Sequence, residues 1–265
     1  EIYQCDWSSD VCSSDLAKSK NMIAIRVLQA IGPQYAQDYV TRFGFDADKH
    51  PPYLTMALGA GSVTPWQMAR AYSVFATGGY RVEPYLIQRI VDDRGNVLAQ
   101  AQPIQAGDES LRVLDSRNAF IMDNLLHDVV RYGTAARAMS LGRKDLAGKT
   151  GTTNDLVDAW FAGYQPGIVA ISWMGFDQPR KLGSNETGAV AALPIWIDYM
   201  GKALKDVPEV FMPVPQGIVS TRVNAAGQRT NEGGRAEFFF LENVPAETPA
   251  EPPSKPPEES RPTVF

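Results

Sequence analysis

The stretch AGKTGTTNDLVDAWFAGYQPGIVAISWMGF, residues 147–176, decides the fold. It contains three extended segments, Lys149–Thr153, Val157–Tyr164 and Ile168–Phe176, the last two joined at the turn Gln165-Pro166-Gly167. Such a succession reads as an antiparallel meander. Downstream, Pro194 opens a helix in which Leu193, Ile197, Met200 and Leu204 keep helical spacing. Upstream, Ser116–Tyr132 reads as a helix, with Gly133 suited to closing it.

Further upstream the pattern stays helical. Ile23, Val27 and Ile31 recur every fourth residue from Ser19 until Gly32-Pro33, and a second helix fits Pro33–Phe43 with Gly44 beyond its end. Thr64-Pro65-Trp66-Gln67 is a capping-box start, and Met68, Tyr72 and Phe75 mark a stripe expected to be buried, up to Gly78-Gly79. Tyr85–Gln100 reads as a hairpin turning at Asp92-Asp93-Arg94-Gly95. Helices, then a sheet, then a covering helix predict an α+β fold, an antiparallel sheet covered by helices. Residues 208–244 add a strand-containing extension around Gly227 and Gly233-Gly234. The tail, residues 245–265, carries seven prolines and four glutamates and is expected to be disordered.

A chain of 265 residues, 44% hydrophobic and 21% charged, can bury a substantial core. No apolar run approaches the roughly 18 residues that a membrane span needs. The N-terminus lacks the basic start and apolar stretch of a signal peptide, so a targeting segment, if the protein is exported, is expected outside this chain.

Residues 1–16 stand apart. The run Asp6-Trp7-Ser8-Ser9-Asp10-Val11-Cys12-Ser13-Ser14-Asp15-Leu16 repeats Ser-Ser-Asp and has no periodicity. Asp10–Leu16 can be encoded by GAC GTG TGC TCT TCC GAT CT, which matches a common sequencing-library adapter, so the segment is expected to be adapter-derived. Both cysteines, Cys5 and Cys12, fall inside it, and the remainder gives no basis for disulfide, zinc or thiol chemistry. Omitting Glu1, Asp6, Asp10 and Asp15 lowers the acidic count from 30 to 26 against 25 basic residues, moving the net charge from −5 to −1. That balance gives no electrostatic case for nucleic acid.

Two short motifs carry the chemistry: Ser19-Lys20-Asn21 at the opening of a helix, and Lys149-Thr150-Gly151 leading through Thr152-Thr153 into a strand. Alone, each is weak, since a K-T-G triplet arises by chance in roughly 5% of chains of this length. The plain reading of the first is a helix cap and of the second an exposed strand start. Order and context favour more. These motifs resemble the S-x-N and K-T-G signatures of the serine penicillin-recognising enzymes. The flanks Ala147–Asp155, Asp158–Tyr164, Gly59–Pro65, Tyr132-Gly133-Thr134-Ala135 and Gly175-Phe176-Asp177 are similar to class A penicillin-binding proteins. Gln178–Gly183 resembles the 1A type of Gram-negative bacteria, and the resemblance covers Ala17 to about Val244.

The resemblance implies a penicillin-binding/serine β-lactamase-like transpeptidase fold, of which this chain holds the C-terminal part (residues 17–207), and a peptidoglycan D,D-transpeptidase as the parent activity. It assigns roles residue by residue. Ser19 would relay a proton between active-site lysines and the leaving amine, and Asn21 would bind the substrate's amide carbonyl. Lys149 would supply positive charge. The Thr150 and Thr152 hydroxyls would hold the substrate's terminal carboxylate, and the Thr152 N–H would form half of an oxyanion hole. Gly151 would leave room for substrate along the strand edge, with Thr153 next to it in the substrate-binding run. The implied partners are stem peptides ending in D-Ala–D-Ala, an acceptor amine and β-lactams, with no cofactor and no metal. The implied location is the periplasmic face of the bacterial inner membrane, the anchor lying in the missing N-terminal part.

The family nucleophile is the serine of S-x-x-K, and no serine of this chain has lysine three residues later. Truncation upstream of Ala17 is the expected cause, so the chain alone is expected to be inactive. A serine β-lactamase or β-lactam sensor, and a non-catalytic peptidoglycan-binding fragment, are the alternatives. His50 and His127 read as surface or core residues, and Trp160, Trp173 and Trp196 as core.

Overall fold

The computed structural model describes residues 14–104, 106–224 and 227–246. The expectations for residues 1–13 and for the tail from residue 247 lie outside the described residues.

Helices α1 (Asn21–Ile31), α2 (Pro33–Val40) and α3 (Pro65–Ala76) come first, followed by the small hairpin β1 (Arg89–Val91) and β2 (Val97–Gln100). Then come α4 (Ser116–Arg131), the meander β3 (Ala147–Thr152), β4 (Ala159–Gln165) and β5 (Ile168–Met174), and helix α5 (Leu193–Ala203). A last hairpin pairs β6 (Ile218–Val223) with β7 (Arg235–Phe240). The central sheet runs β3-β4-β5, antiparallel throughout, as the sequence predicts.

Register sets the layers. Gly151 faces Trp160 and Trp160 faces Trp173, so with side chains alternating along each strand the row Ala147–Lys149–Gly151 shares a face with Tyr164, Ala162 and Trp160. Tyr164 on that face packs with Ala76 of α3 and Leu126 of α4, its ring 6.4 Å from Tyr72. The opposite face presents Phe161 edge-on to Trp196 of α5 at 4.9 Å. Both rings are essentially solvent-free, each burial stabilising by about 1.5–3 kcal/mol. Gly163 makes the fit possible, because a Cβ there would lie 2.9 Å from Trp196 Cζ2. The sheet is thus covered by helices on both faces.

Local chemistry explains the helix starts. Gln67 N–H donates to Thr64 Oγ1 at 3.2 Å while Thr64 N–H donates to Gln67 Oε1 at 3.0 Å, the reciprocal capping box. Asp115 caps α4 by accepting from Arg117 N–H at 2.9 Å.

Several expectations are corrected. In α3 the buried residues are Ala71, Ser73, Val74 and Ala76, while Met68, Tyr72 and Phe75 are half-buried, Tyr72 and Phe75 packing against the core from its margin. Trp196 is core, but Trp173 is 38% exposed and Trp160 half-buried, since both lie where the sheet face runs past the helices. The Pro33–Phe43 helix stops at Val40 and tightens into a 3₁₀ turn, Thr41–Phe43, before Gly44. The Tyr85–Gln100 hairpin pairs only over Arg89–Val91 and Val97–Gln100, around an Asp92 carboxylate that accepts from Arg94 and Asn96 N–H. Gly133 does not adopt the left-handed conformation of a helix-closing glycine; its role is steric and belongs to the site.

The extension β6–β7 lies against α4 through Phe120 and Phe238, ring centroids 5.0 Å apart, and an Arg117–Glu242 ion pair at 2.7 Å.

Candidate active site

Residues 14–17 form a helical turn whose end satisfies its own carbonyls. Ser19 N–H donates to Leu16 O at 3.1 Å and Lys20 N–H to Asp15 O at 2.8 Å, the paired bonds of a Schellman close. Ser19 occupies the left-handed seat, φ 56°, which glycine usually takes and which costs a side-chain-bearing residue roughly 1–2 kcal/mol. Ser19 is not the cap of α1. Lys20 holds that position without a side-chain cap bond. The Ser19 hydroxyl instead accepts from Lys149 Nζ at 2.7 Å, across 130 residues of sequence. A strained residue whose side chain meets a distant titratable group marks a site in which geometry outweighs local preference.

Lys149 rises from the middle of β3, and its ammonium also donates to Thr150 O at 3.1 Å. Burial disfavours the charged form and lowers its pKa from 10.5 to about 8. At pH 7 roughly a tenth of such a lysine is the neutral amine, roughly three hundred times the fraction of an ordinary side chain. Lys149 can therefore take or give a proton near neutral pH, with the Ser19 hydroxyl within hydrogen-bond reach.

A second link has no counterpart among the residues expected from the sequence. Thr134 Oγ1 lies 2.6 Å from Thr150 Oγ1, and Thr134 N–H donates to Ala17 O at 3.0 Å. Thr134 thus joins the strand bearing Lys149 to the turn bearing Ser19. Gly133 permits the junction: a Cβ on it would sit 2.8 Å from Val129 Cα and closer still to the Ala17 carbonyl oxygen. The sequence signals for this link are the family-like flank Tyr132-Gly133-Thr134-Ala135 and its glycine, which a helix close accounts for equally well.

The other expected residues separate by position. Asn21, the first residue of α1, is solvent-exposed two residues beyond Ser19. Gly151 faces Trp160, and a Cβ would come within 3.2 Å of the tryptophan's Cβ, so glycine eases the cross-strand fit as well as leaving the strand edge open. Thr152 is exposed and its Oγ1 accepts from Gly188 N–H at 2.9 Å. Thr153 lies past the strand end, where its Oγ1 accepts from Val157 N–H at 2.8 Å and Asp158 N–H at 2.9 Å, pinning the β3–β4 loop. Among the described residues no group of three or more His, Cys, Asp or Glu could hold a metal ion, and no helix is long and apolar enough to cross a membrane.

A serine hydroxyl thus meets a lysine of lowered basicity, mounted on the first strand of an antiparallel sheet between helices. A family model, the penicillin-binding protein transpeptidase domain, matches residues 5–193, overlapping the adapter-like stretch at its start. The chain belongs to this family and sides with its 1A type. It is 51% identical over 205 residues to penicillin-binding protein 1A of Neisseria lactamica, covering 77% of this chain and 26% of that protein. It is 42% identical over 279 residues to penicillin-binding protein 1A of Pseudomonas aeruginosa, covering 87% and 34%. The crystal structure of penicillin-binding protein 1A from Haemophilus influenzae superposes with a TM-score of 0.83 at 36% identity, over 89% of this chain and 40% of that one. The chain therefore spans about a quarter to a third of the curated relatives it matches.

Proposed function

We propose that this chain is the Ser19/Lys149 half of a peptidoglycan D,D-transpeptidase active site, at the periplasmic face of the bacterial inner membrane, and that it is inactive without the S-x-x-K serine. The observation that carries the reading is the 2.7 Å hydrogen bond from Lys149 Nζ to Ser19 Oγ. Acyl transfer needs a nucleophile, a proton path and fixed donors where oxyanion charge develops. The upstream serine would attack the D-Ala–D-Ala carbonyl. Its proton would pass through Ser19 to the departing D-Ala nitrogen, and an amine of a neighbouring stem peptide would then take the acyl group and release the serine. The charge of Lys149 and the hydroxyls of Thr150 and Thr152 would hold the substrate's terminal carboxylate, the peptide lying along the outer edge of β3. Asn21, exposed beside Ser19, would hydrogen-bond the scissile residue's amide. A β-lactam would acylate the same serine.

Intact-mass spectrometry after incubation with excess penicillin tests this. The chain alone is expected to give no adduct. The chain joined to the upstream S-x-x-K segment of a 1A-type relative is expected to gain one penicillin on that segment's serine. A stable adduct on the chain alone would reassign Ser19 as a nucleophile and overturn these roles. The adapter origin of residues 1–16 is our reading of the codon match, and sequencing the source locus tests it: native codons running through residues 10–16 would refute it.

A further inference from the structure

Helix α4 holds a buried polar cluster that the transpeptidase reading leaves without a role. His127 Nδ1 lies 2.7 Å from the carbonyl oxygen of Leu146. A carbonyl only accepts, so this ring nitrogen carries the hydrogen. On the other side of the ring, Nε2 stands 3.3 Å from Asp123 Oδ2, one helical turn back. Asp123 Oδ1 in turn accepts from Tyr164 Oη at 2.7 Å. Asp123 and His127 are each at most 5% exposed, and Tyr164 and Leu146 are closed to solvent.

These contacts anchor both strands at one level. Leu146 immediately precedes β3, and Tyr164 of β4 faces Ala147. Lys149 follows Ala147 on the same sheet face, one pleat further. The residues just past the C-terminal end of α4 fix the other half of the site, since Gly133 abuts Ala17 and Thr134 N–H bonds its carbonyl. One helix therefore gauges the start of the lysine strand near its C-terminal end and the turn carrying Ser19 just past that end.

We infer that His127 is a positioning residue: its bond to the Leu146 carbonyl fixes β3 against α4 so that Lys149 meets Ser19. The inference rests on the reading of Lys149 as the proton-handling group and can fail separately from it. A buried histidine that only fills space would tolerate an apolar replacement of similar bulk without moving Lys149.

The test is the pH profile of acetylation of each lysine by acetic anhydride in the full chain, read by peptide mass spectrometry alongside hydrogen-exchange protection of α4. In the native chain Lys149 is expected to reach half-reactivity near its lowered pKa of about 8. His127→Leu, which removes the donor, is expected to raise that midpoint by about one unit toward the ordinary lysine value, with roughly tenfold less labelling at low pH. Lys202, exposed on α5, is expected not to move. His127→Gln, which keeps a donor of similar reach, is expected to restore the native midpoint. A protected His127→Leu chain with an unchanged Lys149 midpoint would overturn the inference. If His127→Leu loses protection altogether, His127→Gln decides: a protected chain with the native midpoint supports the inference, and any other result overturns it. An ordinary Lys149 midpoint in the native chain would overturn the reading of Lys149 itself, and this inference with it.

Discussion

The carbonyl oxygen of Ala17 occupies the space in which Gly133 would carry a β-carbon, and this contact brings the two halves of the site together. Gly133 is not in the left-handed region, so its backbone is open to any residue and its requirement is for space alone. Gly133→Ala would force the 14–17 turn away from α4 and break the Thr134–Ala17 bond. The expected loss of stability is about 1–3 kcal/mol, the usual cost of an overpacked contact, read as the shift in denaturant midpoint. Hydrogen exchange at Thr134 is expected to accelerate, and the Lys149 labelling midpoint to rise as Ser19 withdraws.

The lowered pKa of Lys149 makes stability pH-dependent with a defined sign. Between about 8 in the folded chain and the ordinary value of 10.5 in the unfolded one, the unfolded state binds the extra proton. Stability attributable to this residue therefore rises with pH across that window and is flat below it, where both states are charged. Lys149→Met removes the dependence. The difference in unfolding free energy between the native chain and Lys149→Met is expected to move in favour of the native chain from pH 8 to 10.5. A constant difference across that range would contradict the lowered pKa.

Thr153 and Thr134 should behave differently although both sit beside the K-T-G strand. Thr153→Val removes the acceptor for the Val157 and Asp158 N–H groups, and faster exchange confined to residues 154–158 is expected. Thr134→Val leaves Thr150 Oγ1 without its 2.6 Å partner. In the chain joined to the S-x-x-K segment of a 1A-type relative, Thr134→Val is expected to slow penicillin acylation about tenfold, the weight of one hydrogen bond, and Thr153→Ser to leave it unchanged. Equal effects from both substitutions would refute this division.

Local rules made much of this protein legible in its sequence. The meander of β3–β5 followed from three extended segments and a Gln-Pro-Gly turn, and the start of α3 from a Thr-Pro-Trp-Gln capping box, because such signals act over a few residues. Ser19 and Lys149 were legible from short motifs and a resemblance. Distance was not legible. Trp173 and Trp196 have similar apolar neighbours, yet only Trp196 is covered, because burial depends on which face a distant helix meets. Gly133 carries the same letter whether it turns a helix or admits a carbonyl. His127 has Asp123 one helical turn back, but the acceptor of its Nδ1 is Leu146, nineteen residues away. Chain chemistry fixes which groups are available and which local shapes they prefer; the packing of α4 against β3 and the 14–17 turn decides which of them touch, because those contacts are made between residues that no local interaction brings together.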